Sequence, residues 1–170
     1  MSTRSYQLTV NDLEAPTIYT ISFTDHAVSE ISWDQNYLDP TLPMLLNQEG
    51  QLGTTLIKFI RATWVGNTGE AAQLKGQIPI KITTGTPFQR QVWHVISTIP
   101  LGQTKTYQYI AAQTTSPNAV RAVGSACGKN PLPLLIPCHR VTATHGLGGF
   151  GGGVHRKLKL LKFEGVQIPS

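Results

Sequence analysis

Acidic residues all but vanish from the second half of this sequence. Residues 86–170 carry nine Lys/Arg and a single acid, Glu164, whereas residues 1–85 carry five Lys/Arg against eight Asp/Glu. A net charge of +8 on half a chain makes either a solvated basic surface or a surface for a polyanion, nucleic acid first. Cysteine is nearly as scarce. Cys127 and Cys138 could close at most one bridge, which excludes a disulfide-stapled scaffold. With five scattered histidines they form no close-spaced set of four zinc ligands, so no metal site is expected. Long apolar runs are missing too: none reaches the ~18 residues of a membrane span. Met1-Ser2-Thr3-Arg4 lacks the apolar core of an export signal. These absences predict a cytoplasmic protein, nuclear if the source is eukaryotic, with no membrane partner.

The 170 residues, 40% of them hydrophobic, suffice for one ordinary domain or two small ones. The first third alternates with period two at Tyr6-Leu8-Val10, Ile18-Thr20-Ser22 and Val28-Glu30-Ser32. Turn residues Asn11-Asp12 and Asp25-His26 separate these runs, which predicts an antiparallel sheet. After Pro40 and Pro43 the period changes. Leu52, Leu56, Ile57, Ile60 and Trp64 recur at helical steps. Gly66, Gly69 and the polar residues to Lys75 read as a loop, and Ile78 to Ile82 as a last strand with Pro79 suited to an edge. This half contains no phosphate-binding glycine loop. It reads as an α/β structural domain over residues 1–85.

Residues 86–170 read as mostly helical. Thr86-Pro87 starts a helix with a capping hydroxyl and a proline at the first helical position. Its apolar face is Phe88, Val92, Val95, Ile96 and Ile99, and Pro100 and Gly102 end it. Thr106 caps a second helix from Tyr107 to about Thr114. Ser116-Pro117 starts a third, to about Gly128. Two short helices joined by a tight turn form a helix-turn-helix candidate, although helix pairs occur in many α domains. On the third helix Val120, Val123 and Cys127 make an apolar stripe among Ala119, Ala122, Gly124, Ser125 and Ala126, and Arg121 projects from it. Such small side chains suit close approach to a DNA groove and equally suit close helix packing.

The segment Asn130-Pro131-Leu132-Pro133-Leu134-Leu135-Ile136-Pro137-Cys138-His139-Arg140-Val141 carries the candidate chemistry. Three prolines stiffen it, and Asn130-Pro131 favours a turn. Cys138 emerges beside a histidine and an arginine. Cationic neighbours lower a thiol's pKa, and histidine can take its proton. Adjacent side chains point different ways, so a bridging water suits this pair better than direct contact. Cys127, on a helical apolar stripe, reads as an inert core thiol. Residues 146–153 include six glycines around Leu147 and Phe150. They form either a flexible loop or a wall that lets a ligand approach the backbone closely. The last helix, Val154 to Phe163, is expected to turn Leu158 and Leu161 inward and Arg156, Lys157, Lys159 and Lys162 outward. Glu164 at its C-terminus opposes the helix dipole. That position makes sense with a partner, and His139 is the candidate, giving a Cys–His–Glu relay.

These residues resemble the 6-O-alkylguanine-DNA alkyltransferases, also called methylated-DNA–protein-cysteine methyltransferases. The motif is Pro137-Cys138-His139-Arg140-Val141. Thr86-Pro87-Phe88-Gln89, Thr106-Tyr107, Arg121-Ala122-Val123-Gly124, Asn130-Pro131 and Leu160-Leu161 with Glu164-Gly165 stand around it. The resemblance covers roughly residues 86–165. It implies a ribonuclease-H-like α/β N-terminal half and a C-terminal DNA-binding and alkyl-transfer domain, 86–170, with a winged-helix-like helix-turn-helix. Cys138 would accept the alkyl group, His139 would take its proton through water, and Glu164 would support His139. Asn130 would brace the turns around the cysteine. Tyr107 would donate a hydrogen bond to the leaving guanine and help rotate the nucleotide. Arg121 would fill the base stack, with Thr106, Gly124, Ser125 and Lys129 also at the DNA. Pro133, Gly149, Phe150 and Gly151 would line the base pocket. The implied partner is double-stranded DNA bearing 6-O-alkylguanine, and possible 4-O-alkylthymine, bound by a monomer without a cofactor.

Two positions depart from the family pattern. Phe150 stands where a tyrosine is usual, and Gly151 where serine is common. Two other classes use some of the same residues. A DNA-binding alkylation sensor or regulator would bind without transfer, but the related sensors lack the cysteine. A cysteine hydrolase would use Cys138, His139 and Glu164 without needing Arg121, Tyr107 or the basic helix pair.

Overall fold

The computed structural model describes residues 3–12, 15–34 and 49–167. The chain divides into two compact units, Met1–Thr83 and Thr84–Ser170.

In the first unit three strands, β1 (Thr3–Asp12), β2 (Ala15–Thr24) and β3 (Ala27–Asp34), form an antiparallel sheet in the order β1-β2-β3. The register pairs Tyr6 with Ile21 and Leu8 with Tyr19 across the first hairpin. The expected turn at Asn11-Asp12 is strand instead: Asn11 pairs with Pro16 and Asp12 with Ala15. Asp25 and His26 do form the second turn. Both have positive φ, 51° and 61°, as a two-residue hairpin turn that follows the sheet's twist requires. Tyr19, Ile21 and Phe23 are fully buried, so the deep face of β2 is the one between the residues of the Ile18-Thr20-Ser22 series. An irregularity at Ser22/Phe23 shifts the register, and Val28 and Ile31 both turn inward.

Helix α1 (Gly50–Trp64) buries Leu56, Ile60 and Trp64 of the expected series; Leu52 and Ile57 are only half-buried, and Phe59 is buried in addition. The Trp64 indole donates to the Tyr19 hydroxyl. The break expected at Pro40 and Pro43 lies outside the described residues. Residues 68–75, expected to be loop, form helix α2 (Thr68–Lys75). Asn67 caps it by accepting from the Glu70 amide. Only Ala71 is buried there, so no apolar stripe announces this helix, and its cap and its packing hold it. The expected strand 78–82 reduces to one bridge, Ile80 with Val28. Pro79 has no N–H to donate, and its carbonyl accepts from the Val28 amide at 2.9 Å.

In the second unit α3 (Pro87–Ser97) begins with a complete capping box between Thr86 and Gln89. Val92, Trp93 and Ile96 are buried on it, and the Trp93 indole donates to the Ala126 carbonyl at 2.8 Å. That bond and close packing set α3 against α5 (Val120–Gly128). Helix α4 (Tyr107–Ala112) is capped by Thr106, whose hydroxyl accepts from the Tyr109 amide. Helix α5 starts later than Ser116-Pro117 suggests. Ala119 donates to the Ser116 carbonyl and Val120 to that of Asn118, which closes a turn before the helix. The two-residue strands β4 (Lys105–Thr106) and β5 (Val141–Thr142) pair in parallel, Thr106 with Thr142. That pairing sets the start of α4 beside the chain that has just left Cys138. Helix α6 (Val154–Phe163) closes the unit by burying Leu160 and Leu161.

No helix among the described residues is long and apolar enough to cross a membrane.

Candidate active site

Cys138 opens a single 3-10 turn, Cys138–Arg140. The proline-rich segment before it forms a tight reversal in which the Ile136 amide donates to the Leu132 carbonyl at 2.7 Å. Leu134 lies at φ 72°, a left-handed conformation that costs a branched residue about 1–2 kcal/mol. Burial of Leu132, Leu134, Leu135 and Ile136 outweighs that cost. Asn130 ties the reversal together. Its Oδ1 accepts from the Leu132 amide at 3.0 Å, and its Nδ2 donates to the Ile136 carbonyl at 2.8 Å and to Cys138 Sγ at 3.2 Å.

Behind the cysteine lies a buried ionic cluster. His139 is 2% exposed, and its Nε2 lies 2.9 Å from Glu164 Oε1. Arg140 donates to both Glu164 oxygens, each at 2.9 Å, and to the Ile99 carbonyl at 2.7 Å. Burial alone would raise the Glu164 carboxyl, but the His139 and Arg140 hydrogen bonds and charges outweigh it and pull it down to about 2. An ionised carboxylate only accepts, so it selects the His139 tautomer with the proton on Nε2. Nδ1 is then a lone-pair acceptor. It is buried and has no hydrogen-bond partner among the described residues. Burial lowers the His139 pKa, which keeps the ring neutral and able to take a proton. Burial raises the Cys138 pKa, with Asn130 and then Lys157 opposing. The resting group is therefore a thiol that needs a base.

Cys138 lines a cavity of about 200 Å³ together with Tyr107, Gly124, Cys127, Gly128, Gly149, Phe150 and Gly151. Tyr107 leans on the glycine-rich loop. Its hydroxyl donates to the Gly149 carbonyl at 3.4 Å, and a Cβ on Gly148 would lie 2.8 Å from its ring. Burial raises the phenol's pKa, as do the two nearby thiols, so it is a protonated donor at neutral pH. The Phe150 ring meets His139 edge-on, with centroids 6.4 Å apart.

The structure thus brings Cys138, His139, Glu164, Asn130, Tyr107, Gly124, Gly149, Phe150 and Gly151 to one place. Pro133 is buried and is not part of the cavity wall. Arg121, Ser125 and Lys129 are exposed on or just after α5, and Thr106 is occupied as a cap. Cys127, Arg156, Lys157 and Leu158 differ from their sequence reading. Cys127 is no core thiol: it lines the cavity, and burial, then the neighbouring Cys138, pushes its thiol up to about 12. Lys157 and Arg156, expected outward, are 0% and 4% exposed, while Leu158 is only half-buried. The signal was present in the spacing, because Lys157 is three and four residues from the inward pair Leu160 and Leu161. Lys157 Nζ donates to the Val141 carbonyl at 2.6 Å and the Gly149 carbonyl at 3.1 Å. No group of His, Cys, Asp and Glu among the described residues could hold a metal ion.

Known proteins resemble this chain in sequence and in fold. The 6-O-methylguanine DNA methyltransferase DNA-binding domain matches residues 87–166. The methylated-DNA–protein-cysteine methyltransferase of Mycobacterium leprae is 49% identical over 148 residues, covering 76% of this chain and 90% of that protein. The enzyme of that name from Salmonella typhimurium is 52% identical over 87 residues, 51% of each chain. A probable one from Acanthamoeba polyphaga mimivirus matches over 54% of its length. The chain thus spans about half the length of these latter two relatives. Among solved structures, Mycobacterium tuberculosis O6-methylguanine methyltransferase superposes with a TM-score of 0.72 at 27% identity, over 98% of this chain and 96% of that one. The same organism's protein in complex with DNA gives 0.71 at 28% identity, over 94% and 92%. With nine-tenths of the M. leprae protein matched at that identity, the chain belongs to the methylated-DNA–protein-cysteine methyltransferase family.

Proposed function

We propose that this protein repairs DNA by transferring an alkyl group from the 6-oxygen of guanine to Cys138. The observation that carries the proposal is a cavity-lining thiol held by Asn130 and followed in the chain by a neutral buried His139 whose Nε2 is committed to Glu164. In the reaction a water relays the Cys138 proton to His139 Nδ1. The sulfur attacks the alkyl carbon in line, the S–C bond forms, the C–O bond breaks, and guanine leaves with the electron pair. Tyr107 donates a hydrogen bond to the leaving base. Glu164 carries the charge that compensates the imidazolium. The product is a thioether, which nothing in the site can reverse, so each chain reacts once.

The target oxygen is inside a duplex, so the base must be extruded at a cost of a few kcal/mol. Arg121, exposed on the small-residue face of α5, supplies the side chain that fills the stack. Thr106, Gly124, Ser125 and Lys129 flank it at the DNA. Gly149, Phe150 and Gly151 wall the base, with Pro133 supporting from behind. The second unit, with its α4–α5 pair and β4–β5 pairing, is read as a winged-helix-like DNA-binding and alkyl-transfer domain. The first is read as a ribonuclease-H-like scaffold, and the protein as a monomer acting on duplex DNA, with 4-O-alkylthymine as a second substrate. The DNA complex known for the M. tuberculosis protein supports the DNA partner.

Intact mass before and after incubation with a duplex bearing 6-O-methylguanine tests the proposal. One added methyl per chain, mapped to Cys138 and absent from Cys138→Ser, is expected. Repeated turnover, or label on Cys127, would refute it. Tight binding without transfer would instead mark an alkylation sensor.

A further inference from the structure

We infer that Lys157 is a positioning residue, an internal staple that holds the glycine-rich loop of residues 143–153 closed against the Cys138 cavity. The inference rests on the alkyl-transfer reading for what the loop covers.

The loop has little of its own to hold it. Its turn is closed by a Gly153 amide to Phe150 carbonyl bond at 3.0 Å, and Gly146, Gly148 and Gly153 lie at positive φ. Glycine loses more conformational freedom on ordering than any other residue, so an ordered glycine loop needs outside bonds. Arg156 supplies one, to the Gly152 carbonyl at 3.2 Å, and Lys157 supplies two from beneath. One ammonium donates to Val141, the last buried residue before the loop, and to Gly149, at the middle of the loop and on the cavity wall. It thereby joins two carbonyls eight residues apart in the chain. The Gly149 carbonyl also accepts from the Tyr107 hydroxyl, and the Lys157 Nζ lies 6.0 Å from the centre of the Tyr107 ring. When Tyr107 turns its hydroxyl to a captured base, Lys157 still holds Gly149.

Burying a lysine is costly, and this one is fully buried with no carboxylate ion-paired to it among the described residues. A hydrocarbon side chain would fill the space without that cost. The groups whose charge it feels are Cys138 and His139 from the 3-10 turn and Cys127 from α5, with Tyr107 of α4 beside it. An alternative role is therefore to stabilise the Cys138 thiolate, and the two roles separate cleanly. A staple acts on loop closure and base capture. A thiolate-stabilising charge acts on the maximal rate and its pH profile.

Lys157→Met keeps the length and removes the charge and the donors. In the DNA-free protein, native-state chymotrypsin cleavage after Leu147 and Phe150 should accelerate roughly tenfold or more, the size expected for losing a charge-assisted hydrogen bond. In single-turnover transfer from methylated duplex, the half-saturating protein concentration should rise by a similar factor. The pH profile of the plateau rate should keep its shape. Lys157→Arg keeps charge and donors and should recover part of both losses. Unchanged cleavage in Lys157→Met, or a shifted pH profile with intact loop protection, overturns the staple. If Lys157→Met does not fold, the wild-type protein decides: cleavage of its loop as fast as in an unstructured peptide overturns the staple, and protection well beyond that supports it. The cleavage measurement needs no substrate. A wild-type protein that fails to transfer methyl groups therefore sinks the functional reading and leaves the staple to stand or fall separately.

Discussion

Replacing Glu164 by glutamine tests the ionic cluster and the chemistry together. The carboxylate accepts one bond from His139 and two from Arg140, all at 2.9 Å. Its folded pKa of about 2 against the ordinary 4.5 is a stability statement. A depressed carboxylate stabilises the fold fully above the unfolded value and loses that contribution as pH falls through the folded one. The two-and-a-half-unit gap corresponds to at most about 3 kcal/mol, less what residual solvent exposure screens away. Glu164→Gln also leaves Arg140 buried without its counter-charge, which pushes the cost upward. An overall loss of about 2–4 kcal/mol at neutral pH is expected in urea unfolding. The difference from wild type should shrink as pH is lowered from 4.5 toward 2, because the wild-type carboxylate is then protonated too. The amide of the new side chain can donate to His139 Nε2. That moves the imidazole proton to Nδ1 and removes the base. Single-turnover transfer on folded protein should therefore fall by roughly 10²–10⁴, the usual contribution of a general base. A stability difference independent of pH would refute the linkage argument, and a transfer rate within about threefold of wild type would refute the tautomer argument.

Three further substitutions probe the cavity and the DNA face. Gly148→Ala puts a methyl 2.8 Å from the Tyr107 ring at φ 69°. It should cost at least about 1 kcal/mol in unfolding free energy and slow transfer by displacing the phenol; unchanged melting and rate would show that the loop yields freely. Phe150→Ala should weaken capture of alkylated guanine by about 1–3 kcal/mol if the ring stacks on the base. If Phe150 only steadies His139 through their edge contact, the maximal rate should fall while capture stays intact. Phe150→Tyr separates a need for the ring face from a need for a hydroxyl. Arg121→Lys keeps the charge but loses the guanidinium plane. Transfer from duplex should suffer more than transfer from free alkylated base, and equal losses on both would remove Arg121 from base extrusion.

Local signals carried much of this protein. The caps at Thr86 and Thr106, the hairpin turn at Asp25-His26 and the apolar spacing of α1 and α3 are written in neighbouring residues, because capping, turn geometry and helical periodicity act over a few positions. Cys138, His139 and Asn130 were legible for the same reason, in one proline-braced segment. Glu164 was legible only through its discomfort at a helix C-terminus, since its partners are 24 and 25 residues away in sequence. What the tertiary structure alone decided has one physical cause: burial is a property of what packs against a side chain, which composition does not record. Helix α2 has no apolar stripe and is held by its cap and its neighbour α1. Cys127 and Cys138 share a cavity because Trp93 and the β4–β5 pair bring α5 and α4 to the same wall. Lys157 sits at an inward position of α6 with its charge spent on two backbone carbonyls. A lysine in a basic helix reads as solvent-facing, and only the glycine-rich loop folded above it turns that position into a hydrogen-bonding site.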